Sequence, residues 1–484
     1  MQHRTTPDCG QVGSRELLRD LGRPQVLAVV IGAMVGTSIY IRPASIAQLA
    51  GATTPILIVW VAAGLLTLFG ALTYAQLAMR ISGAGGEYQF LRATLGALPA
   101  FLFGWMRLII GPAVIAGLAV AFTVFLGDVV PIGSPWVHWN LLWGDRTTHI
   151  DFGPRQSIAL IVIFGLAWIN TRGVRTAGGF QVAVTLCKVI GLLALIGAIL
   201  LFGHVRAEDS VAPAASAFPT ALSSSAAVLA AIAAYNGWTL AAMLGGEIRD
   251  PERVLPRALI VGVAVVTILY LAANVAFLQA LSLQDIATSN STAYPTAPSV
   301  AGLAVRRVLG ASVAAALPIL FASSALGAAH CNILAVPRVF YSMARDGLLP
   351  RSLARVAGNS GTPNRAIALI ATLASVFAVM GSYDRLTNMT AYSYLLFYAL
   401  TTIGFLWSRR ATPRSEWDLR LGRIVMVAAL FLFGALWLIV TSVLRGTAEV
   451  MLATGLVAMG MPVFVALRLL RSQASPSTAG SGGQ

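Results

Sequence analysis

The sequence predicts an all-α membrane protein with twelve transmembrane helices, because of its composition and the spacing of its apolar runs. Of the 484 residues, 57% are hydrophobic and only 11% are charged, whereas roughly 25% of the residues in an ordinary soluble domain carry charge. Twelve spans of about 22 residues would use about 55% of the chain and match the length that a bilayer requires. This composition excludes a soluble enzyme.

Uninterrupted apolar runs locate the spans. They lie at residues 25–45, 55–79, 99–126, 155–170, 180–202, 221–245, 257–281, 311–343, 365–382, 386–408, 421–444 and 448–469. The chain therefore divides into an N-terminal tail, a first set of five helices, a second set of five, a final helix pair and a tail that its composition predicts to be disordered. These parts are residues 1–24, 25–202, 221–408, 421–469 and 472–484.

The distribution of arginine predicts the orientation. With the N-terminus inside, 23 arginines fall in cytoplasmic segments and 8 on the opposite side, where Arg42 lies at a helix end. Because cytoplasmic loops carry the excess of basic residues, both termini are expected inside. The net charge of +15 then needs no nucleic-acid partner. The preference for arginine over lysine favours a bacterial inner membrane.

Two predicted spans contain residues that break helices. Span 1 contains Gly36, Thr37 and Ser38, and span 6 contains Tyr235-Asn-Gly-Trp238 near its middle. A small-xxx-small spacing such as Gly32 and Gly36 also suits close helix packing. However, five spans separate the starts of the two helices, so the second set of five runs in the opposite direction. Paired interruptions in inverted halves are typical of a transport site.

The broken stretches supply free main-chain groups for a zwitterion. Amides at Thr37 and Ser38 begin a half-helix whose positive dipole end suits a carboxylate, and the carbonyls of Met34, Ala233 and Asn236 suit an ammonium group. The residues predicted to bind substrate are Met34, Gly36, Thr37, Ser38, Ile39, Ala233, Tyr235, Asn236 and Gly237.

Lys188 is the single lysine among 32 arginines and lies in span 5, about eight residues or 12 Å from the start of the helix. A charge at that depth is costly and usually has a partner or a water-filled path. Lysine can lose its proton when desolvated, whereas arginine cannot. These properties favour a functional role over a structural one.

Other polar residues within spans are less informative. Ser323, Ser324 and His330 give span 8 a small and polar face that can contribute to coupling, although a lone buried histidine is more often a satisfied core group. Arg107 in span 3 either snorkels or pairs with a carbonyl or carboxylate, and no role is assigned to it. Cys9, Cys187 and Cys331 have neither disulfide nor metal-ligand spacing, so no metal or cofactor is expected.

With these motifs together, the chain resembles the amino acid-polyamine-organocation superfamily, in particular the L-type amino acid transporters and their bacterial relatives. The resemblance covers about residues 22 to 470. It rests on 31–43, 85–88, 95–101, 170–175 followed by Gln181, Thr185 and Lys188, 234–238, 250–256 and 338–350. It implies a LeuT-type fold of five plus five inverted helices with two more, alternating access, and the main-chain roles given above. It also implies that Lys188 replaces a sodium ion, so that transport is sodium-independent.

The chain departs from the family pattern at three points. Where family members usually have Gly-Ser-Gly, this chain has Gly36-Thr37-Ser38. Ala233 stands where an aromatic residue is frequent, and Asn236 stands where a small residue is frequent. Together these differences imply a wider pocket with an added amide. Animal members of the family pair with a glycoprotein through a cysteine in the loop after span 3. Residues 127–154 contain no cysteine, so no such partner is expected.

The sequence therefore predicts a secondary active permease or exchanger of neutral or small polar amino acids in the cell membrane, with no enzymatic activity. A polyamine or cationic amino acid permease of the same fold is the alternative, although no Asp or Glu lies deep in any predicted span. An amino acid sensor without transport is an alternative of another class. The sequence contains none of the catalytic motifs that an intramembrane enzyme would need. A channel would normally have a filter-like repeat.

Overall fold

Helices make up most of the regular structure in the computed structural model of the chain. It describes residues 16–143, 146–203, 220–291, 293–294, 296–380, 389–408 and 421–474. Most of both predicted tails and of the predicted connection between spans 9 and 10 lies outside the described residues. The last helix reaches Ala474, into the segment 472–484 that was expected to be a disordered tail.

The described residues of the first half form seven helices and a hairpin. The helices are α1 (Arg23–Met34), α2 (Ser38–Ala50), α3 (Thr53–Arg80), α4 (Glu87–Thr94), α5 (Ala97–Gly127), α6 (Pro154–Thr171) and α7 (Val174–Phe202). Strands β1 (Val137–Trp143) and β2 (Arg146–Phe152) pair antiparallel within the long connection after α5. The hairpin was not predicted, although apolar residues occupy alternate positions along β1, at 137, 139, 141 and 143.

Twelve helices follow within the part of the second half that the structure describes. They are α8 (Ala221–Tyr235), α9 (Leu240–Met243), α10 (Pro251–Ala280), α11 (Leu283–Ala287), α12 (Val300–Leu309), α13 (Ala311–Ala314), α14 (Leu317–Ala335), α15 (Pro337–Arg345), α16 (Asn364–Met380), α17 (Thr390–Ser408), α18 (Leu421–Leu444) and α19 (Ala448–Ala474). Short 3-10 turns lie at Gly245–Glu247 and Arg351–Ala354. The helices α11 and α12 were not predicted, although Ser282 and Ser299 cap them as N-cap residues do.

Seven helical segments among the described residues are long and apolar enough to cross a membrane. They are α3, α5, α7, α10, the segment Ala311–Arg345, α18 from Gly422 and α19 as far as Leu469. The pair α1 and α2 passes the same test as one span bent by 40°. The chain is thus a multi-pass helical membrane protein.

The helices pack around the two broken spans. α10 lies along α3, α5 packs against α14 and α16, and α1 packs against α7 and α10. The connector α4 buries Glu87, Tyr88, Phe90 and Leu91, so the middle of the polar segment 80–98 is packed within the protein. This packing places the non-helical backbone of both breaks in the protein interior, where it need not face lipid.

Candidate functional site

The first break separates α1 from α2 at residues 35–37. The Gly36 amide donates to the Met34 carbonyl at 2.7 Å, a tight local bond that turns the chain out of the helix. The helix resumes at Ser38. Because the first amides of a helix have no acceptor within it, Thr37 and Ser38 begin a half-helix with a positive dipole end, as the sequence predicted.

The second break lies at residues 236–239, between α8 and α9. Gly237 has φ of +110°, a conformation that glycine adopts without strain. A Cβ atom at Gly237 would lie 2.8 Å from the Ala33 Cβ and 2.9 Å from the Ala33 oxygen. Glycine is therefore required at position 237 for two reasons. Its backbone angle favours glycine, and the second break lies too close to the last turn of α1 for a side chain.

A hydroxyl that the sequence did not single out joins the two breaks. The Tyr270 oxygen, on α10, lies 2.6 Å from the Met34 carbonyl oxygen and 3.1 Å from the Ala234 carbonyl oxygen. The Met34 oxygen thus accepts from both Tyr270 and the Gly36 amide, which uses its two lone pairs. Ala233 and Asn236 are left as the carbonyls with more capacity for an ammonium group.

A cavity of about 250 Å³ lies between the breaks. Its lining comes from both broken spans, from α5, from α14 and from α17. The lining residues are Ala33, Met34, Gly36, Thr37, Ser38, Arg42, Arg107, Val114, Gly117, Leu118, Ala121, Ala233, Ala234, Asn236, Gly237, Leu240, Ala328, Asn332, Thr390 and Tyr394. A concave space with a few convergent polar groups is typical of a small-molecule site.

Seven of the nine residues predicted to bind substrate line this cavity, and two do not. Ile39 is fully buried away from it. Tyr235 is also buried, and its hydroxyl lies 3.4 Å from the Trp60 carbonyl on α3. The sequence missed Asn332 and Tyr394, because only the packing of α14 and α17 brings them to the breaks.

Lys188 is fully buried beside the first break. Its Nζ donates to the Gly32 carbonyl at 2.5 Å and the Val35 carbonyl at 2.8 Å, and lies 3.5 Å from the Ser324 carbonyl. Carbonyls released by the break are thus held by an ammonium group. The Ser323 hydroxyl instead bonds within its own helix, to Leu320.

His330 does not line the cavity but belongs to a polar chain beside Lys188. Its Nδ1 lies 2.7 Å from Gln181 Oε1, Gln181 Nε2 donates to Thr185 Oγ1, and Thr185 donates to the Ala28 carbonyl. Among the described residues the Nε2 atom of His330 has no partner. These hydrogen-bonded side chains link α1, α7 and α14 along the face of α7 that carries Lys188.

Arg107 lines the cavity and has a carboxylate partner that the sequence could not identify. Its Nη1 donates to the Tyr394 hydroxyl at 2.8 Å, and its Nη2 lies 3.7 Å from Glu87 Oε2. Tyr74 donates to the other oxygen of Glu87 at 3.0 Å. Arg107 therefore pairs rather than snorkels, and the connector α4 supplies the partner.

A second buried ion pair lies at the end of the molecule where Asp20 and Leu21 pack, before α1. Arg338, at the start of α15, donates to both oxygens of Glu247 at 2.7 and 2.9 Å, and both side chains are fully buried. The amides of Asp20 and Leu21 donate to the Glu247 carbonyl at 2.9 Å. The segment after the second break is thus tied to α15 and to the N-terminal segment.

Comparisons with known proteins give the family. The sequence profile described as "Amino acid permease" matches residues 21–466. The serine/threonine exchanger SteT of Bacillus subtilis is 29% identical over 82% of this chain and 84% of its own length. The human cystine/glutamate transporter is 27% identical over 86% of this chain and 78% of its own. The human large neutral amino acids transporter small subunit 2 is 28% identical over 84% and 74%.

All of these relatives are transporters rather than enzymes, in agreement with the resemblance noted in the sequence. The family profile spans the helices that form the cavity, from the segment before α1 into α19. The chain belongs to the amino acid permease family and is related to the L-type branch of the amino acid-polyamine-organocation superfamily.

Proposed function

We propose that this amino acid permease binds one α-amino acid in the cavity between its two broken helices and releases it on the other side of the membrane. The observation that carries the proposal is the close approach of Gly237, in the second break, to Ala33, in the last turn of α1 before the first break, beside that cavity. Non-helical backbone at membrane depth is tolerated where it lines a cavity. Discontinuous helices of this kind form substrate sites in secondary transporters.

The proposed substrate contacts follow from the ends of the half-helices. The amides of Thr37 and Ser38 bind the α-carboxylate at the positive end of α2. The carbonyls of Ala233 and Asn236, at the end of α8, accept from the α-ammonium group. These contacts bind the α-ammonium and α-carboxylate groups that all α-amino acids share. Selection among substrate side chains therefore takes place elsewhere in the cavity.

We further propose twelve spans, arranged as five plus five inverted helices and a final pair, with both termini cytoplasmic. The positions of the breaks support this arrangement, because each interrupts the first helix of one predicted set. The excess of arginine in the predicted cytoplasmic segments supports the orientation, and the preference for arginine over lysine supports a bacterial inner membrane. Since residues 127–154 contain no cysteine, no partner joined by a disulfide through this segment is expected.

Transport is proposed to be independent of sodium. The Lys188 ammonium lies among the carbonyls of Gly32, Val35 and Ser324, which are the kind of oxygen ligands that a small cation would need. A fixed positive charge there opposes the binding of a further cation. Uptake that is equal with sodium and with choline as the external cation is the expected result.

The alternative of a polyamine or cationic amino acid substrate has less support. Among the described residues, the cavity lining contains Arg42 and Arg107 but no carboxylate. A second positive charge on the substrate would meet these guanidinium groups without compensation. A cationic substrate would be repelled rather than bound.

The test is uptake by the purified full-length chain in proteoliposomes, with each of the twenty common amino acids inside and outside. Saturable uptake of at least one labelled amino acid, faster when an unlabelled amino acid is inside, is expected for an exchanger. Uptake without that acceleration indicates a permease that cycles empty. Binding in a thermal-shift screen with no uptake of any amino acid would contradict transport and favour a sensor.

A further inference from the structure

We propose that the preferred substrate is an amino acid with an acidic side chain, bound as a net anion between Arg42 and Arg107. This inference rests on the proposed function and deepens it, because it concerns the part of the substrate that the broken helices do not read. It departs from the sequence-based expectation of a neutral or small polar substrate. The sequence placed Arg42 at a helix end and gave Arg107 no role, so neither charge entered that expectation.

Arg42 brings an uncompensated charge to the cavity. It lies on α2, is only partly exposed, and lines the same cavity as Thr37 and Ser38. Within the part of the chain that the structure describes, no hydrogen bond or ion pair involves its side chain. An arginine that lines a cavity within a membrane-spanning helix normally has a partner, and a ligand with a carboxylate would provide one.

Arg107 brings donors that its protein partners do not use up. The side chain is 1% exposed, and in addition to its bond to Tyr394 its contact with Glu87 is 3.7 Å long, beyond a hydrogen bond. Among the described residues its Nε has no acceptor. A guanidinium has five N–H donors, so Arg107 can bind a carboxylate without giving up Tyr394.

The charges of the cavity balance for an anionic substrate. The α-ammonium and α-carboxylate cancel each other, and Glu87 offsets Arg107 from behind. Arg42 remains, because among the described lining residues there is no acidic side chain. An amino acid with a side-chain carboxylate has a net charge of −1 and offsets the charge of Arg42, whereas a neutral amino acid leaves Arg42 unpaired in the cavity.

The spacing along α2 fits two carboxylates. Arg42 follows Ser38 by four residues, so it lies on the same face of the helix about 6 Å further along the axis. In a dicarboxylic amino acid the two carboxylates are separated by two or three carbon atoms. The first can therefore rest on the Thr37 and Ser38 amides while the second reaches a guanidinium in the planar, bidentate geometry that arginine favours.

The test compares each acidic amino acid with its amide of the same shape. Uptake of a labelled amino acid into proteoliposomes is measured in the presence of an unlabelled competitor. The competitors are L-glutamate and L-glutamine as one pair, and L-aspartate and L-asparagine as the other. For the wild type we expect the acidic member of at least one pair to compete about tenfold or more better than its amide. Arg42→Gln should reduce that ratio by about tenfold, whereas Arg42→Lys should retain most of it.

Arg306→Gln is the matched control, because it removes an exposed arginine of α12 outside the cavity lining. Its acid-to-amide ratio should equal that of the wild type. If Arg42→Gln cannot be purified, the wild-type ratios and Arg42→Lys still decide the matter. Amides that compete as well as the acids, or an Arg42→Gln ratio equal to that of the control, would overturn the acidic preference.

The outcomes separate this inference from the proposed function. Uptake of neutral amino acids with exclusion of glutamate and aspartate would overturn the acidic preference and leave amino acid transport intact. No uptake of any of the twenty amino acids would overturn both.

Discussion

At the residue scale, the choice of lysine over arginine at position 188 fits the space beside the first break. An ammonium group is compact and has three donors, and three carbonyl oxygens lie around Nζ. On the other side, a Cβ at Gly327 would be 3.0 Å from Nζ. A planar guanidinium has no room there, which explains why a chain with 32 arginines retains its one lysine at this position.

Lys188→Ala and Lys188→Arg are both expected to reduce proteoliposome uptake at least about tenfold. The alanine variant leaves buried carbonyls without a donor, at about 1–3 kcal/mol for each, and the arginine variant overfills the site. Cys187→Ser is the control, because this neighbour on α7 is exposed. Undiminished uptake by Lys188→Ala that keeps the pH dependence of the wild type would refute a coupling role.

Gly32 allows α1 to approach α7, and its substitution should be destabilising. A Cβ at Gly32 would collide with Thr185 Oγ1 and Gln181 Nε2, and overpacking of this kind costs about 1–3 kcal/mol. Gly32→Ala should therefore lower the apparent Tm in detergent, and Thr185→Ala should recover part of the loss. Gly179→Ala, with no atom within 4 Å of the added carbon, should not lower the Tm. Equal Tm values for Gly32→Ala and Gly179→Ala would contradict the packing argument.

The site could be predicted only as far as it depends on local sequence. Gly36, Thr37 and Gly237 are helix breakers, and they do occupy the breaks. Tyr270 and Asn332 sit inside ordinary apolar runs, so nothing in their neighbourhood marks them. Helix packing brings the Tyr270 hydroxyl to the backbone beside the two breaks and Asn332 to the cavity, and a single sequence does not reveal this packing.

At the element scale, the buried ion pair between Glu247 and Arg338 connects the second broken span to α15. A pair in which one partner is lost leaves a buried charge, whereas loss of both can be nearly neutral. The pair therefore contributes more to the choice of one packing arrangement than to net stability.

Arg338→Met should destabilise the protein by about 3–5 kcal/mol, because Glu247 then remains buried without a counter-charge. Combining it with Glu247→Gln should restore most of that loss, so the double-mutant cycle should give a large coupling energy. The measurement is unfolding in detergent of the wild type, both single variants and the double variant. Additive losses would show that the two side chains act independently.

Elements were predictable where a single physical requirement dominates. The length and apolarity that a bilayer demands located both ends of α3 and α5 to within two residues, whereas α7 and α10 begin six residues earlier than predicted. The helices α11 and α12 and the β-hairpin lie in connections, where no bilayer constrains composition. Their formation depends on local caps and pairing, which leave a weaker signal in the sequence.

At the scale of the whole molecule, the structure is closed on one side of the breaks. At the end where Asp20 and Leu21 pack, the Ser342 hydroxyl donates to the Ala84 carbonyl at 2.5 Å and the Gly85 amide donates to the Met243 carbonyl at 2.8 Å. The cavity instead extends along α5 to Leu118 and Ala121. Alternating access requires that these two regions exchange, with the closed contacts opening as the cavity closes.

Reciprocal accessibility of two cysteine reporters tests this exchange. In a chain with Cys9→Ser, Cys187→Ser and Cys331→Ala, we place one reporter in the cavity, Ala121→Cys, and one in the closed region, Ala242→Cys. Ala242 is 1% exposed, so the first reporter should react with a water-soluble maleimide faster than the second.

Arg338→Lys, which weakens the closed end without removing its charge, should shift the population between the two states. We expect the Ala121→Cys reporter to react several-fold more slowly and the Ala242→Cys reporter several-fold faster, because one conformational equilibrium governs both. A reporter at exposed Arg306 should keep its rate and thereby exclude general unfolding. If both reporters react faster while the rate at Arg306→Cys is unchanged, the two regions open independently. The molecule then does not alternate between a state that is open at one end and a state that is open at the other.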